Sequence, residues 1–76
     1  MDKLDRITID PNICHGKPTI RGSRMMVQTI LEYLAGGSST EEIVSEFSGI
    51  EKEDVLSCIA YASKIMHFKN ESFALV

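Results

Sequence analysis

The chain has no tryptophan, two prolines, two cysteines and no run of about 18 consecutive apolar residues. Each scarcity excludes something. Without such a run the sequence contains no membrane-spanning helix. The start, Met1-Asp2-Lys3-Leu4-Asp5, lacks the apolar stretch of a secretory leader. Cys14 and Cys58 alone make no disulfide framework. Neither C-x-x-C nor H-x-x-x-H spacing occurs among Cys14, His15, Cys58 and His67, so no metal and no cofactor is expected. These features predict a reduced, cytoplasmic protein. At 43% hydrophobic and 25% charged residues the composition is globular, not disordered. Seventy-six residues make one small core, which a partner surface or self-association would help to stabilise.

Positive charge is scarce and lies mostly at the front. Residues 1–24 carry five cations (Lys3, Arg6, Lys17, Arg21, Arg24) against three acids, a net +2. Residues 25–76 carry three cations (Lys52, Lys64, Lys69) against eight acids, a net −5. A non-specific nucleic-acid binder is usually basic overall. Here only the N-terminal third can meet phosphates without repulsion. Within it, Gly16-Lys17-Pro18-Thr19-Ile20-Arg21-Gly22-Ser23-Arg24 concentrates two glycines, a proline and three cations into a turn segment. Lys17, Arg21 and Arg24 are the candidate DNA-contacting residues, because cationic arms can track phosphates or enter the minor groove.

The pattern predicts three parts: a β and basic turn segment over 1–24, a trihelical domain over 25–68, and a tail over 69–76. Arg6–Asp10 alternates as a short strand, and Pro18–Arg21 is a second extended piece. The two could form a hairpin or two arms packed on the helices. A helix is expected within Met25–Ala35, with Val27, Ile30, Leu31 and Leu34 on one face and Gly36-Gly37 ending it. Ser39-Thr40-Glu41-Glu42 spells a capping box ahead of a second helix over Thr40–Phe47, which buries Ile43, Val44 and Phe47. Ser48-Gly49-Ile50 makes the turn. A third helix is expected over Lys52–His67, with Glu51, Glu53 and Asp54 at its N-terminus.

That third helix has apolar residues to spare. Val55, Ile59, Ala62 and Met66 form one stripe, and Cys58, Tyr61, Ile65 and Phe68 a second. The second stripe, with Phe73, Leu75 and Val76 of the tail, is the candidate partner or dimer interface; the alternative is that the N-terminal arms cover it.

Gly49, Ile50, Val55 and Cys58 also suit a helix-turn-helix, though they suit a bundle without DNA equally well. Glu51, Glu53 and Asp54 stand where a recognition helix enters the major groove, which opposes counterion release. Catalysis finds little footing. Gly16-Lys17-Pro18-Thr19 lacks the upstream glycine and following helix of a P-loop, and Gly22-Ser23-Arg24 lacks the context of a nucleophile elbow. Glu41, Glu42 and Glu46 form a solvated helix face. No catalytic residue is assigned and no enzyme is expected.

The run Asp10-Pro11 … Gly16-Lys17-Pro18-Thr19-Ile20-Arg21-Gly22-Ser23-Arg24 … Val27, with Leu31-Glu32-Tyr33-Leu34-Ala35-Gly36, Glu41-Glu42-Ile43, Glu53-Asp54-Val55 and Ala60-Tyr61-Ala62, resembles the bacterial family of domain of unknown function 433. The likeness covers roughly residues 6–66. Ser23 stands where threonine is commoner, Met25-Met26 where a proline often precedes Val27, and Thr40 where the second helix often has proline. The resemblance implies a mainly α, homeodomain-like trihelical core with a short β element ahead of it. It also implies the antitoxin of a type II toxin–antitoxin pair, masking a PIN-like ribonuclease toxin. A homodimer that reads operator DNA of its own gene would complete that reading. The alternative is a stand-alone helix-turn-helix regulator without a toxin. The family has no settled contact residues to carry over.

Overall fold

The computed structural model describes residues 3–73, with side chains described from 5 to 67. A single-turn 3-10 segment (Lys3–Arg6) leads into β1 (Ile7–Thr8). A tight turn at Cys14–Gly16 precedes β2 (Thr19–Ile20). Three helices complete the chain: α1 (Val27–Ala35), α2 (Thr40–Glu46) and α3 (Lys52–Phe73). This is the expected mainly α architecture with a short β element in front.

β1 and β2 pair antiparallel, Ile7 opposite Ile20 and Thr8 opposite Thr19. The expected strand over Arg6–Asp10 is cut short by Asp10. Its carboxylate accepts from the Asn12 N–H at 2.8 Å and its carbonyl from the Ile13 N–H at 2.9 Å, which turns the chain. β2 then folds back on Met25–Val27. Thr19 bridges Met26, the Ile20 N–H donates to the Met25 carbonyl (2.9 Å), and the Val27 N–H donates to the Pro18 carbonyl (3.0 Å). Met25 and Met26 are therefore committed to this second hairpin, and α1 starts at Val27, within the expected span. The intervening turn needs Gly22, whose φ is +79°. Ser23 holds the turn closed: its hydroxyl donates to the Ile20 carbonyl (2.9 Å) and accepts from the Met25 N–H (3.1 Å).

Each helix end has a local cause. α1 stops in a Schellman motif. The Gly37 N–H donates to the Leu34 carbonyl and the Ser38 N–H to the Tyr33 carbonyl, both at 3.0 Å. Gly37 takes φ +103°, which a side chain would resist. α2 opens with the full capping box. The Glu42 N–H donates to Ser39 Oγ (3.1 Å) and the Ser39 N–H to Glu42 Oε1 (2.7 Å).

α3 opens differently. Asp54, only 5% exposed, accepts the Glu51 N–H on Oδ2 (2.8 Å). Its Oδ1 accepts from Arg6 Nη1 at 2.9 Å, and the same nitrogen reaches Glu51 Oε1 at 3.0 Å. The hydrogen bonds to Asp54 and then to Glu51 raise the Arg6 guanidinium above its ordinary pKa.

The core is Ile20, Val27, Ile30, Ile43, Ile50, Val55 and Cys58, with one or more residues from β2, each helix and the α2–α3 turn. Ile7, Met25, Leu31, Leu34, Val44, Phe47 and Tyr61 pack around it half-buried. Among the described residues no buried side-chain polar atom lacks a partner. α3 passes the expected end at His67 and runs to Phe73, since Phe68-Lys69-Asn70-Glu71-Ser72-Phe73 holds no glycine or proline. Asn70–Phe73, read from sequence as tail, is thus helical. Ser63 to His67 are all exposed, so α3 projects beyond the body. The radius of gyration is accordingly 13.2 Å, against about 11.4 Å for a compact chain of this length.

Replacing Asp54 by alanine removes the acceptor that starts α3 and half of the Arg6 anchorage. The expected loss is about 2 kcal/mol, measured by urea denaturation. Asp54→Asn keeps an acceptor for the Glu51 N–H and should lose less.

Candidate protein-interaction face

α1 and α3 lie side by side without closing against each other along their whole length. Between them runs a groove of about 470 Å³, walled by Val27, Gln28, Leu31, Glu32 and Ala35 of α1, by Tyr61, Ala62, Ile65 and Met66 of α3, and by Pro18. Ala35 and Ala62 have side chains too short to fill the gap. Glu32 is the single charged residue among these walls, and its carboxylate accepts from the Gln28 amide at 3.2 Å. Ile65 is 40% exposed and Met66 53%, and Ile59 nearby is 42% exposed. Together they make a continuous apolar surface beside the groove, large for a domain of this size.

This geometry revises the reading of α3. Cys58, placed by helical spacing on an outward stripe, is fully buried and belongs to the core. Ile59 and Met66, placed on the opposite stripe, are exposed instead. The cause is polar: Asp54 and Ser57 are buried as well. Asp54 turns inward to Arg6, and the Ser57 hydroxyl donates to the Glu53 carbonyl one turn back at 2.8 Å. The inward face is thus centred on 54, 55, 57 and 58 and cuts across both apolar stripes. Tyr61 and Ile65 do reach the groove. The side chains of Phe68 and Phe73, and all of Leu75 and Val76, lie outside the described residues.

The expected cations divide. Arg21 and Arg24 sit on the turn between β2 and Met25, and Lys17 stands at the far end of β2. All three are exposed, and among the described residues none forms an ion pair. Arg6, by contrast, is an internal anchor. Its partners are 45 and 48 residues away in the chain, a pairing that no local pattern signals. Glu41, Glu42 and Glu46 do face solvent, lining a shallow depression with Tyr33, Ser38 and Ser45. Tyr33 packs edge-on against Phe47, centroids 5.1 Å apart.

The cysteines do not meet. Cys14 and His15 take left-handed φ of 52° and 58°, a conformation costing about 1–2 kcal/mol per residue. The Cys14 thiol offsets part of this by donating to the Arg24 carbonyl at 3.5 Å. Burial, with the Asp54 charge adding to it, pushes the Cys58 thiol up to about 11. Among the described residues no group of three or more histidines, cysteines and carboxylates is placed to hold a metal ion. No helix among them is long and apolar enough to cross a membrane.

Two short helices, a long third one with a β hairpin clamped over its start, and an open apolar groove define a small helical domain. The family described as "Protein of unknown function (DUF433)" matches residues 7–62, and the chain belongs to it. The matched span ends at Ala62, immediately before α3 leaves the body. The fold is similar to the crystal structure of a DUF433 member protein from Anabaena variabilis, with a TM-score of 0.76 and 26% identity over 91% of this chain and 68% of that one. No curated protein matches the sequence.

The two thiols should differ sharply. Cys14 should react with a disulfide reagent in the native protein, and Cys58 only at the rate of unfolding. An unfolded thiol ionises near pH 9 but Cys58 only near 11, so the unfolded state loses its proton first and stability falls between those values. A loss of roughly 2–3 kcal/mol across that window is expected, absent from Cys58→Ala when the two are unfolded in parallel.

Proposed function

We propose that this protein is a cytoplasmic, non-enzymatic binding regulator, the antitoxin of a type II toxin–antitoxin pair, which forms a homodimer and neutralises a PIN-like ribonuclease. The observation that carries the reading is the apolar groove between α1 and α3, with Ile65 and Met66 exposed beside it. A domain with so small a core gains from covering that surface. The second support is charge. A ribonuclease groove is cationic because it holds RNA, and residues 25–76 carry a net −5. Glu41, Glu42 and Glu46 face solvent, free to steer such a partner. Family membership agrees with this reading without specifying it.

A DNA contact fits the same protein. Lys17, Arg21 and Arg24 are exposed cations on or beside one hairpin, suited to phosphates of an operator. Direct reading by α3 is poorly supported. Its N-terminal end presents Glu53 and is covered by the Arg6 clamp on Glu51 and Asp54. A DNA-binding regulator without a toxin partner draws on these three cations alone.

Two measurements test these readings. Co-expressed with the product of the adjacent reading frame, the chain should co-elute with that protein on size exclusion and suppress its RNA cleavage. Glu41→Lys with Glu46→Lys should slow association roughly tenfold at low salt. Absence of any complex overturns the antitoxin reading. With operator DNA, affinity should fall steeply as salt rises, and Arg21→Ala with Arg24→Ala should lower the log–log slope by about two. A salt-independent response removes the DNA contact.

A further inference from the structure

We infer that the groove between α1 and α3 seats a second copy of this chain, the two α3 helices running antiparallel and the projecting end of each lying along the other's α1. The inference rests on the reading of this face as the interaction surface and names how it is occupied when no ribonuclease is present.

Continuity is the first argument. Tyr61, Ala62, Ile65 and Met66 form the α3 wall of the groove and also the root of the projection. A two-fold axis passing close to them lays the patch on its own copy, which is what an isologous dimer requires. Ala62 lets two helices approach closely there.

Length is the second. α1 has nine residues, a wall of about 13 Å. Beyond Met66, α3 continues to Phe73, about 10 Å of helix. The projection is therefore about as long as the wall it would cover. Ile59, Met66 and Phe73 recur at seven-residue spacing, the repeat that keeps one seam against a partner helix.

Charge is the third. Among the described residues Glu32 is the single charge on the groove walls, while α3 from Ser63 onward carries Lys64 and Lys69 against Glu71. In the antiparallel arrangement Lys64 of one copy approaches Glu32 of the other.

The consequence is exclusive occupancy: a ribonuclease seated on this face displaces the second copy. The test is sedimentation equilibrium of the full chain, alone and with the ribonuclease. Alone it should be a dimer. Ile65→Asp should give a monomer with an unchanged far-UV spectrum. Should that variant unfold, the rim pair reads the same geometry. Glu32→Lys should weaken pairing roughly five- to tenfold, and adding Lys64→Glu should restore it. A wild-type chain that stays monomeric at its highest soluble concentration overturns the inference, as does a folded Ile65→Asp dimer or a charge swap without rescue. A monomer that still binds the ribonuclease defeats this pairing and leaves the antitoxin reading standing. A dimer that binds no ribonuclease does the reverse.

Discussion

The contact on which the rest depends is Arg6. Its carbonyl accepts the Arg21 N–H at 2.7 Å, tying the first strand to the segment after the second. Its guanidinium bonds Asp54 and Glu51 at the start of α3. Two strands of two residues each cannot stand alone. They persist because one residue joins them by backbone to each other and by side chain to the helix. Asp54 completes the arrangement by accepting from the helix's own first turn with its second oxygen. The ion pair also reduces the charge that two of the three acids at this end of α3 present to the surroundings.

The glycine- and cation-rich segment from Gly16 to Arg24 is mostly architecture. Pro18 offers a carbonyl to Val27, Thr19 and Ile20 are buried, Gly22 supplies a left-handed turn, and Ser23 bonds both sides of it. Little of this run is left over for chemistry. What faces outward is charge: Lys17, Arg21 and Arg24. The structure thus separates a cationic edge made by the hairpin from an apolar cleft made by α1 and α3.

The helices were legible because their ends are written locally. Ser39 and Glu42 three residues apart spell a capping box, and Gly36-Gly37 a stop, and both form as read. The apolar excess of α3 was legible too, but not its direction. Helical spacing alone assigns Val55 and Ile59 to one face. The rotation that buries Cys58 and exposes Ile59 is set by Asp54 and Ser57, polar residues whose partners make burial favourable. Asp54's partner is Arg6, far away in the chain, and a single sequence carries no trace of that pairing. The groove was hidden for a similar reason. It arises from two alanines, Ala35 and Ala62, on helices whose mutual placement only tertiary packing determines.

The seven buried apolar side chains among the described residues make a small reserve against unfolding. Any ligand that grips only the native form adds to that reserve in proportion to the logarithm of its concentration over its dissociation constant. For a core this size, such an increment is comparable with the whole. The cellular lifetime of the chain should then report whether its cleft is filled. Copies with the cleft empty would be the ones more often open to proteases.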